Sequence, residues 1–187
     1  MKWNKHSAFE GLHAFMGASK YHWINYDEDR LVESYRTYRA AEQGTLDHAF
    51  AALCIERRQK LPSRPRTTLS MYVNDAIGFG LDPEVLLFYS ENCFGTADAI
   101  GYSDGHLQIH DLKTGKIPAH IEQLMVYAAL FCLEYDIAPG NLKSVELRIY
   151  QNNDILICNP EADDILPIMD KIISFDKLIK KLQKAEE

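Results

Sequence analysis

The sequence predicts an α/β protein of the α+β type, in which a mixed central β-sheet is flanked by helices. Helical spacing of apolar residues dominates residues 1–80, two hairpin patterns lie within residues 85–159, and a strongly helical segment separates the hairpins. A helix between strands is typical of a crossover that covers one face of a sheet. The 187 residues suffice for one domain with a single core, and no shift in composition marks a linker.

The N-terminal part, residues 1–80, is predicted to be mainly helical. One helix is expected to start at Ser19 and a second to cover residues 28–41. Gly44 is expected to interrupt that helix, and Thr45 to open another whose apolar side chains recur at helical spacing. Residues 71–79 predict one more helix before the first strand.

The central sheet and its crossover helix are predicted within residues 85–159. Residues 85–90 predict a strand, and the dipeptides Asp104-Gly105 and Asn152-Asn153 each predict a hairpin turn between two strands. Between the hairpins, Pro118 marks the start of the strongest helix. A final helix over residues 163–184 is expected to pack on the sheet or on a partner subunit through Ile165, Met169, Ile172, Leu178, Ile179 and Leu182.

The first hairpin brings two carboxylates together. Asp104-Gly105 is a preferred dipeptide for a two-residue type I′ turn, where both residues need positive φ. In that register Asp98 lies opposite Asp111, with Cβ atoms roughly 4.5 to 5.5 Å apart. Lys113, two residues further along the strand, lies on the same face.

Two facing carboxylates repel each other unless a cation or a proton lies between them. Magnesium binds through one or two carboxylates and substrate phosphate oxygens, and a lysine beside it orients water or stabilises developing charge. Asp98, Asp111 and Lys113 therefore predict a metal-dependent site that cleaves phosphodiester bonds. The alternative is an ordinary exposed hairpin with solvated carboxylates, which a three-residue loop would favour by shifting the register.

The charge distribution is uneven. The formal net charge is −7, which is unfavourable for binding nucleic acid, but residues 1–66 hold 11 Lys and Arg against 8 Asp and Glu, and residues 67–187 hold 9 against 19. A run of basic residues lies at the end of this positively charged N-terminal segment and consists of Arg57, Arg58, Lys60, Arg64 and Arg66. This run either follows a phosphate backbone or is a solvated helix end whose charges complement the helix dipole.

Membrane and secreted classes are disfavoured. The longest apolar run, residues 124–133, is too short to cross a bilayer, and the N-terminal residues lack the apolar stretch of a signal peptide. We therefore expect an intracellular, cytoplasmic protein that has no contact with a membrane. The cysteines form no CxxC pair, which argues against a zinc ribbon or a local iron–sulfur motif, and buried free thiols are expected at Cys54, Cys93, Cys132 and Cys158.

Four ordered motifs between residues 44 and 127 resemble those of the PD-(D/E)XK nuclease superfamily, in its RecB-type and phage exonuclease branch. The matching segments are Gly44-Thr45-Leu46-Asp47-His48, Gly95-Thr96-Ala97-Asp98, Asp111-Leu112-Lys113, and Gln123 with Tyr127. The N-terminal stretch from Ser19 to Trp23 extends the resemblance weakly over most of the chain. The resemblance implies a restriction-endonuclease-like core and one nuclease domain over residues 1–187.

The same resemblance implies a metal site. Asp98 and Asp111 would bind Mg²⁺ or Mn²⁺, with His48 and the backbone carbonyl of Leu112 completing the shell. Lys113 would hold and activate the attacking water. The alternative for His48 is a histidine that is hydrogen-bonded on its helix.

Three further residues are candidates to support the site. Gln123 and Tyr127 would brace the lysine or contact a phosphate, although Tyr127 at helical spacing is equally well explained as a core residue. Thr96, the predicted cross-strand partner of Lys113, would lie beside these groups.

The resemblance also implies an exonuclease that acts on linear DNA ends in phage recombination or repair, leaving a 5′-phosphate and a 3′-hydroxyl. Relatives that bind an iron–sulfur cluster carry cysteines near the opening helix and the C-terminus, where this chain has none, so no cluster is expected. The alternatives are an endonuclease for branched or single-stranded DNA, and a non-catalytic DNA-end-binding subunit that keeps the fold. Expected partners are linear duplex or single-stranded DNA, copies of the chain in a ring or clamp, and a single-strand annealing protein.

Overall fold

The computed structural model describes residues 5–186 apart from positions 10, 12 and 116, so the first four residues and the last lie outside the described part. The secondary structure comprises 3-10 helices at Ser7–Phe9, Ala18–Asn25 and Pro139–Asn141, helices α1 Glu28–Glu56, α2 Thr68–Gly78, α3 Glu122–Glu134 and α4 Ala162–Glu186, and strands β1 Asp82–Ser90, β2 Cys93–Ser103, β3 His106–Leu112, β4 Ser144–Gln151 and β5 Asp154–Cys158. This order of elements confirms the predicted mixed sheet flanked by helices.

The chain divides between Gln43 and Gly44 into two compact units. In the first unit, aromatic contacts hold short segments together, including Phe15 edge-to-face on Tyr35 with ring centroids 5.1 Å apart. The indole of Trp23 donates a hydrogen bond to a backbone carbonyl of the same unit. The second unit contains the whole sheet, helices α2 to α4 and the C-terminal part of α1.

The predicted interruption at Gly44 is wrong, because α1 runs without a break from Glu28 to Glu56. Gly44 is buried within this helix, and a Cβ atom there would lie 2.6 Å from Thr114 Oγ1. The glycine therefore permits close approach of the chain that follows β3. It is not a helix stop.

The sheet has the strand order β1-β2-β3-β4-β5. Only the β3–β4 pair is parallel, and α3 supplies the crossover that a parallel pair requires. Both predicted hairpin turns are confirmed, since Asp104 and Gly105 have φ values of 52° and 88°, and Asn152 and Asn153 have 52° and 59°. These are the left-handed conformations that type I′ turns need.

Two hydrophobic clusters cover the two faces of the sheet. On one face α3 packs on the strands and the first half of α4 packs against α3, through a core that includes Leu87, Leu107, Ile109, Leu124, Leu130, Leu147 and Ile165. On the other face the end of α1 and helix α2 pack on β3 and β4 through Ile55, Tyr72, Val73, Leu112 and Tyr150. The apolar stripe predicted for α4 is only partly covered, because Leu178 and Leu182 are each 55 % exposed.

All four cysteines are free thiols, as predicted, but the predicted burial holds only for Cys54 and Cys132, because Cys93 and Cys158 are half-buried. Within the described residues, no helix combines the length and the apolar character needed to cross a membrane.

Candidate functional site

The register of the β2–β3 hairpin leads directly to the two predicted carboxylates. The strands pair from Ser103 and His106 to Ala99 and His110, which is the predicted register. Backbone pairing ends there, one position before Asp98 and Asp111. Beyond that point the Asp98 side chain connects β2 to β3, because its Oδ2 accepts a hydrogen bond from the backbone N–H of Leu112 at 2.9 Å.

The sheet is irregular at Asp98. In the β1–β2 pairing, Ala99 pairs with Pro83 and Ala97 pairs with Val85, but the intervening residues Glu84 and Asp98 are not paired with each other in this ladder. Glu84 has a φ of 51°. Ala97 packs in the cluster under α3, whereas Ala99 packs in the cluster under α2, so the side-chain alternation shifts by one residue. The strand register is the same on both sides of this point, so the irregularity is local to Glu84 and Asp98 and inserts no residue.

Asp111 is a buried carboxylate with one oxygen short of hydrogen bonds. It is 2 % exposed, and Lys113 Nζ lies 3.1 Å from Oδ1 and 3.0 Å from Oδ2. Apart from this ion pair, Oδ2 has no hydrogen-bond partner in the described part of the chain. Burial, and then the negative charge of Asp98, raise the pKa of Asp111 to about 6, although Lys113 opposes the shift. A divalent cation would relieve this repulsion.

Lys113 is held by α3 as well as by Asp111. Its Nζ donates to Gln123 Oε1 at 2.9 Å, and Gln123 Nε2 donates to the Tyr127 hydroxyl at 3.2 Å. The Tyr127 ring also packs on the core cluster and beside Gly95, where a Cβ atom would lie 3.0 Å from a ring carbon. Tyr127 therefore packs against the core, and its hydroxyl also ends a hydrogen-bonded chain that starts at Asp111.

His48 lies on the other side of Asp98. Its Nδ1 is 3.4 Å from Asp98 Oδ2, and the hydrogen bond to Asp98 raises the pKa of the imidazole against the opposing effect of burial. One residue missed by the sequence analysis joins this pair. Ligand atoms of His48, Glu84 and Asp98 all lie within 4.8 Å of one another. Glu84 and Asp98 each lie between the paired positions Pro83–Ala99 and Val85–Ala97, so the β1–β2 register is the signal that would indicate Glu84.

The Leu112 carbonyl faces the side of the strand on which Asp98 lies. The N–H of Lys113 donates to the Tyr150 carbonyl of β4 at 2.9 Å. Because the N–H and C=O of one trans peptide point in opposite directions, the Leu112 oxygen points away from β4. Thr96 is paired with Leu86 of β1, and its predicted place beside Lys113 stays a prediction.

Two members of the basic run make contacts with neighbouring segments. Arg58 Nη1 donates to the Leu81 carbonyl at 2.7 Å, so this arginine ties the end of α1 to the start of β1. Arg66 Nε contacts the sulfur of Met71 at 2.6 Å. All five members are exposed, including the other three, Arg57, Lys60 and Arg64. Both interpretations of the run, a phosphate contact and a helix-end complement, remain open for them.

A surface pocket of about 260 Å³ opens beside the lysine. Its walls come from the start of α2, the end of β3 and the β4–β5 turn, with Thr68, Lys113, Thr114 and Asn152 among the lining residues. Besides these hydroxyl, amide and ammonium groups, the pocket is lined by the Asp47 carboxylate.

Comparison with known proteins gives a match over part of the chain. Residues 86–170 match the family described as "Protein of unknown function (DUF2800)". This segment includes β2, β3 and α3, and so all the candidate residues except His48, Glu84 and the basic run. No solved structure matches the chain significantly.

Proposed function

We propose that this chain is a metal-dependent DNA nuclease that hydrolyses phosphodiester bonds. The observation that carries the proposal is the buried Asp111 carboxylate, in contact with Lys113 at 3.0 Å and repelled by Asp98. A carboxylate pair that is short of positive charge, with a lysine alongside, suits a divalent cation and a phosphate substrate. A structural ion pair would have no need of the second carboxylate.

The donor set fits Mg²⁺ or Mn²⁺, because Asp98, Asp111 and the Leu112 carbonyl supply only oxygen. When bound, the ion would polarise the phosphoryl group and lower the pKa of water. Lys113 would position the attacking water in line with the leaving oxygen. Gln123 would hold the lysine in that orientation from α3, with Tyr127 fixing the amide of Gln123 in turn.

Linear DNA ends are the preferred substrate class, in phage recombination or repair, and this preference rests on the resemblance to phage exonucleases. The protein would then work in the cytoplasm of a bacterium or a phage-infected host. Assembly into a ring or clamp, and a single-strand annealing protein as partner, belong to the same proposal. The exposed arginines and Lys60 are candidate contacts for the DNA backbone.

The test is cleavage of end-labelled linear, circular, nicked and single-stranded DNA by the full chain with Mg²⁺ or Mn²⁺. We expect loss of label from linear DNA and protection of circular DNA. Lys113→Ala should be inactive, whereas Lys177→Ala, at an exposed position on α4, should keep full activity. No cleavage of any substrate with either ion, or a fully active Lys113→Ala, would refute the proposal.

A further inference from the structure

The two edges of the sheet differ in how they are protected. Strand β1 forms one edge and β5 forms the other. Along β1, Pro83 has no N–H, Glu84 has a φ of 51°, and the N–H of Phe88 donates to Glu134 Oε2 at 2.8 Å. A proline, a local irregularity and an acceptor for an edge N–H all hinder the pairing of a further strand. The β1 edge is therefore protected against strand addition.

The β5 edge lacks this protection. The strand, Asp154–Cys158, contains no proline, lysine or arginine. Leu156 and Ile157 alternate along it, so their side chains lie on opposite faces of the sheet, and they are 52 % and 48 % exposed. An exposed apolar edge strand is a template on which another extended chain can pair.

The backbone of β5 presents free hydrogen-bonding groups at this edge. The Tyr150 carbonyl accepts the N–H of Lys113, so Tyr150 directs its backbone groups at β3, and its partner Ile155 directs its own away from β4. Ile157, two residues further on, has the same orientation. The N–H of Ile155 donates to Asp154 Oδ1 at 2.9 Å. Within the described part of the chain, the Ile157 N–H and the carbonyls of Ile155 and Ile157 have no hydrogen-bond partner.

A cavity of about 270 Å³ opens beside the same strand, with Ala119, Ile149 and Leu156 among its lining residues. Leu156 pairs with Ile149, which packs in the cluster under α3, so both side chains lie on that face of the sheet. A residue of an added strand that lies opposite Leu156 would direct its side chain to the same face, next to the cavity. In recognition by strand addition, main-chain hydrogen bonds give affinity and pockets for alternate side chains give specificity.

We propose that β5 is a docking site for an extended peptide segment of another protein, which pairs with it as a further strand of the sheet. The segment has apolar side chains at alternate positions and basic residues at its ends. This inference goes beyond the proposed nuclease function and does not depend on it.

The charges around β5 favour a basic peptide over a second copy of the chain. Asp154 is exposed at the start of the strand, and Glu161, Asp163 and Asp164 are exposed just beyond its end. Lys143 lines the cavity next to that end, which still leaves the end net negative. A second copy paired antiparallel would place acidic ends against acidic ends. A peptide with lysine or arginine at its ends would meet the opposite charge at both.

The test is binding of synthetic peptides to the full chain, measured by fluorescence polarisation. One peptide has valine at alternate positions, threonine between them and lysines at both ends, and a second has glutamates at the ends. We expect the lysine peptide to bind and the glutamate peptide to bind more weakly. Ile157→Pro removes an N–H that points away from the sheet, and should lower the affinity by about tenfold or more. Ile157→Thr is the matched control, because it keeps the N–H and a β-branched side chain, and it should bind like the native chain.

No binding of either peptide, equal binding of both, or equal affinity of the native chain and Ile157→Pro would overturn the inference. A second measurement uses the native chain, so a folding defect in Ile157→Pro would not decide the matter. N-methylation of one alternate set of peptide nitrogens should abolish binding and that of the other set should not, because only every second residue of an added strand directs its N–H at β5. A native chain that sediments as a dimer, and as a monomer after Ile157→Pro, would assign the edge to a second copy and overturn the inference.

Discussion

Two carboxylates in this protein are almost equally buried and have opposite surroundings. Asp111 is 2 % exposed and Asp176, on α4, is 4 % exposed. Asp176 Oδ1 accepts hydrogen bonds from Ser90 at 2.7 Å and from Asn92 at 3.0 Å, and its Oδ2 lies 2.7 Å from Lys180 Nζ. Asp111 has Lys113 as its ion-pair partner and faces a second carboxylate.

The pKa values of the two groups reflect this difference. The hydrogen bonds from Lys180, Asn92 and Ser90 lower the pKa of Asp176 to about 2, whereas burial and Asp98 raise that of Asp111 to about 6. A satisfied buried charge fastens one element to another, here α4 to the β1–β2 turn. A buried charge that lacks hydrogen-bond partners lowers the stability of the fold. Such a group is retained where a bound ligand supplies the missing contacts.

The largest effect should come from removing the charge of Asp111. If the proposed function holds, Asp111→Asn should lower the rate of DNA cleavage by about 10²–10³-fold or more, because the proposed ligand of the cation is lost. The same variant should unfold at no lower urea concentration than the native chain in the absence of divalent ions. The measurement is initial rate on linear DNA beside a urea titration. A variant that is destabilised but active when folded would make Asp111 a structural residue like Asp176.

The second largest effect should be a loss of stability without a loss of activity, which is the reverse of the result expected for Asp111→Asn. Asp176→Ala should lower the urea midpoint, since it leaves Ser90, Asn92 and Lys180 without their acceptor, while the folded fraction keeps the native cleavage rate. Asp170→Ala, at an exposed position on the same helix, is the control and should be close to native in stability. If the two substitutions lower the midpoint equally, the contacts of Asp176 do not fasten α4.

The third effect is the pH dependence of stability in metal-free protein. Asp111 has a higher pKa folded than unfolded, so the folded chain holds a proton that the unfolded chain has lost, and stability falls as pH rises from about 4 to about 6. The rise from an ordinary value near 4 corresponds to roughly 3 kcal/mol. Asp176 has a lower pKa folded, so its contribution is complete above about pH 4 and is lost as pH falls towards about 2.

Urea midpoints from about pH 2 to about pH 7 for the native chain and each variant would measure both contributions. Subtracting the Asp111→Asn profile should isolate the falling limb between about pH 4 and 6. Subtracting the Asp176→Ala profile should isolate the rising limb below about pH 4. Parallel profiles for the native chain and Asp111→Asn would show that Asp111 titrates normally.

The features that were predicted correctly from the sequence depend on residues that are close together in the chain. The Asp104-Gly105 turn needs only the positive φ of its two residues, and that requirement sets the register that carries Asp98 towards Asp111. Gln123 and Tyr127 are one helical turn apart, so their contact also follows from local geometry. These parts of the fold and the candidate site depend on neighbours in sequence.

The features that were missed depend on contacts between distant segments. Glu84 joins His48 and Asp98 only because β1 pairs with β2 next to α1, and no motif marks that position. Gly44 has the low helix propensity of any glycine, which favours a break, but Thr114 fills the space that a side chain would need. How much of α4 is buried depends on its contact with α3, and the spacing of apolar residues along α4 does not reveal the extent of that contact.

The smallest expected effect tests how closely Lys113 is positioned, through its neighbour Thr114. Gly44→Ala gains about 1 kcal/mol of helix propensity but places a Cβ atom 2.6 Å from Thr114 Oγ1, and such overlap costs roughly 1–3 kcal/mol. We expect a net loss of stability of about 1 kcal/mol in urea titrations, and a fall in cleavage rate because Lys113 is displaced from Asp111.

A Cβ atom added at Gly78, which also lies in a helix, would meet no atom within 4 Å, so Gly78→Ala is the control and should stabilise slightly. Adding Thr114→Ala to Gly44→Ala removes the Oγ1 contact and should restore both stability and rate. If Gly44→Ala stabilises the chain as much as Gly78→Ala, the approach of Thr114 to α1 is not tight. The position of Lys113 against Asp111 would then not depend on a glycine in α1.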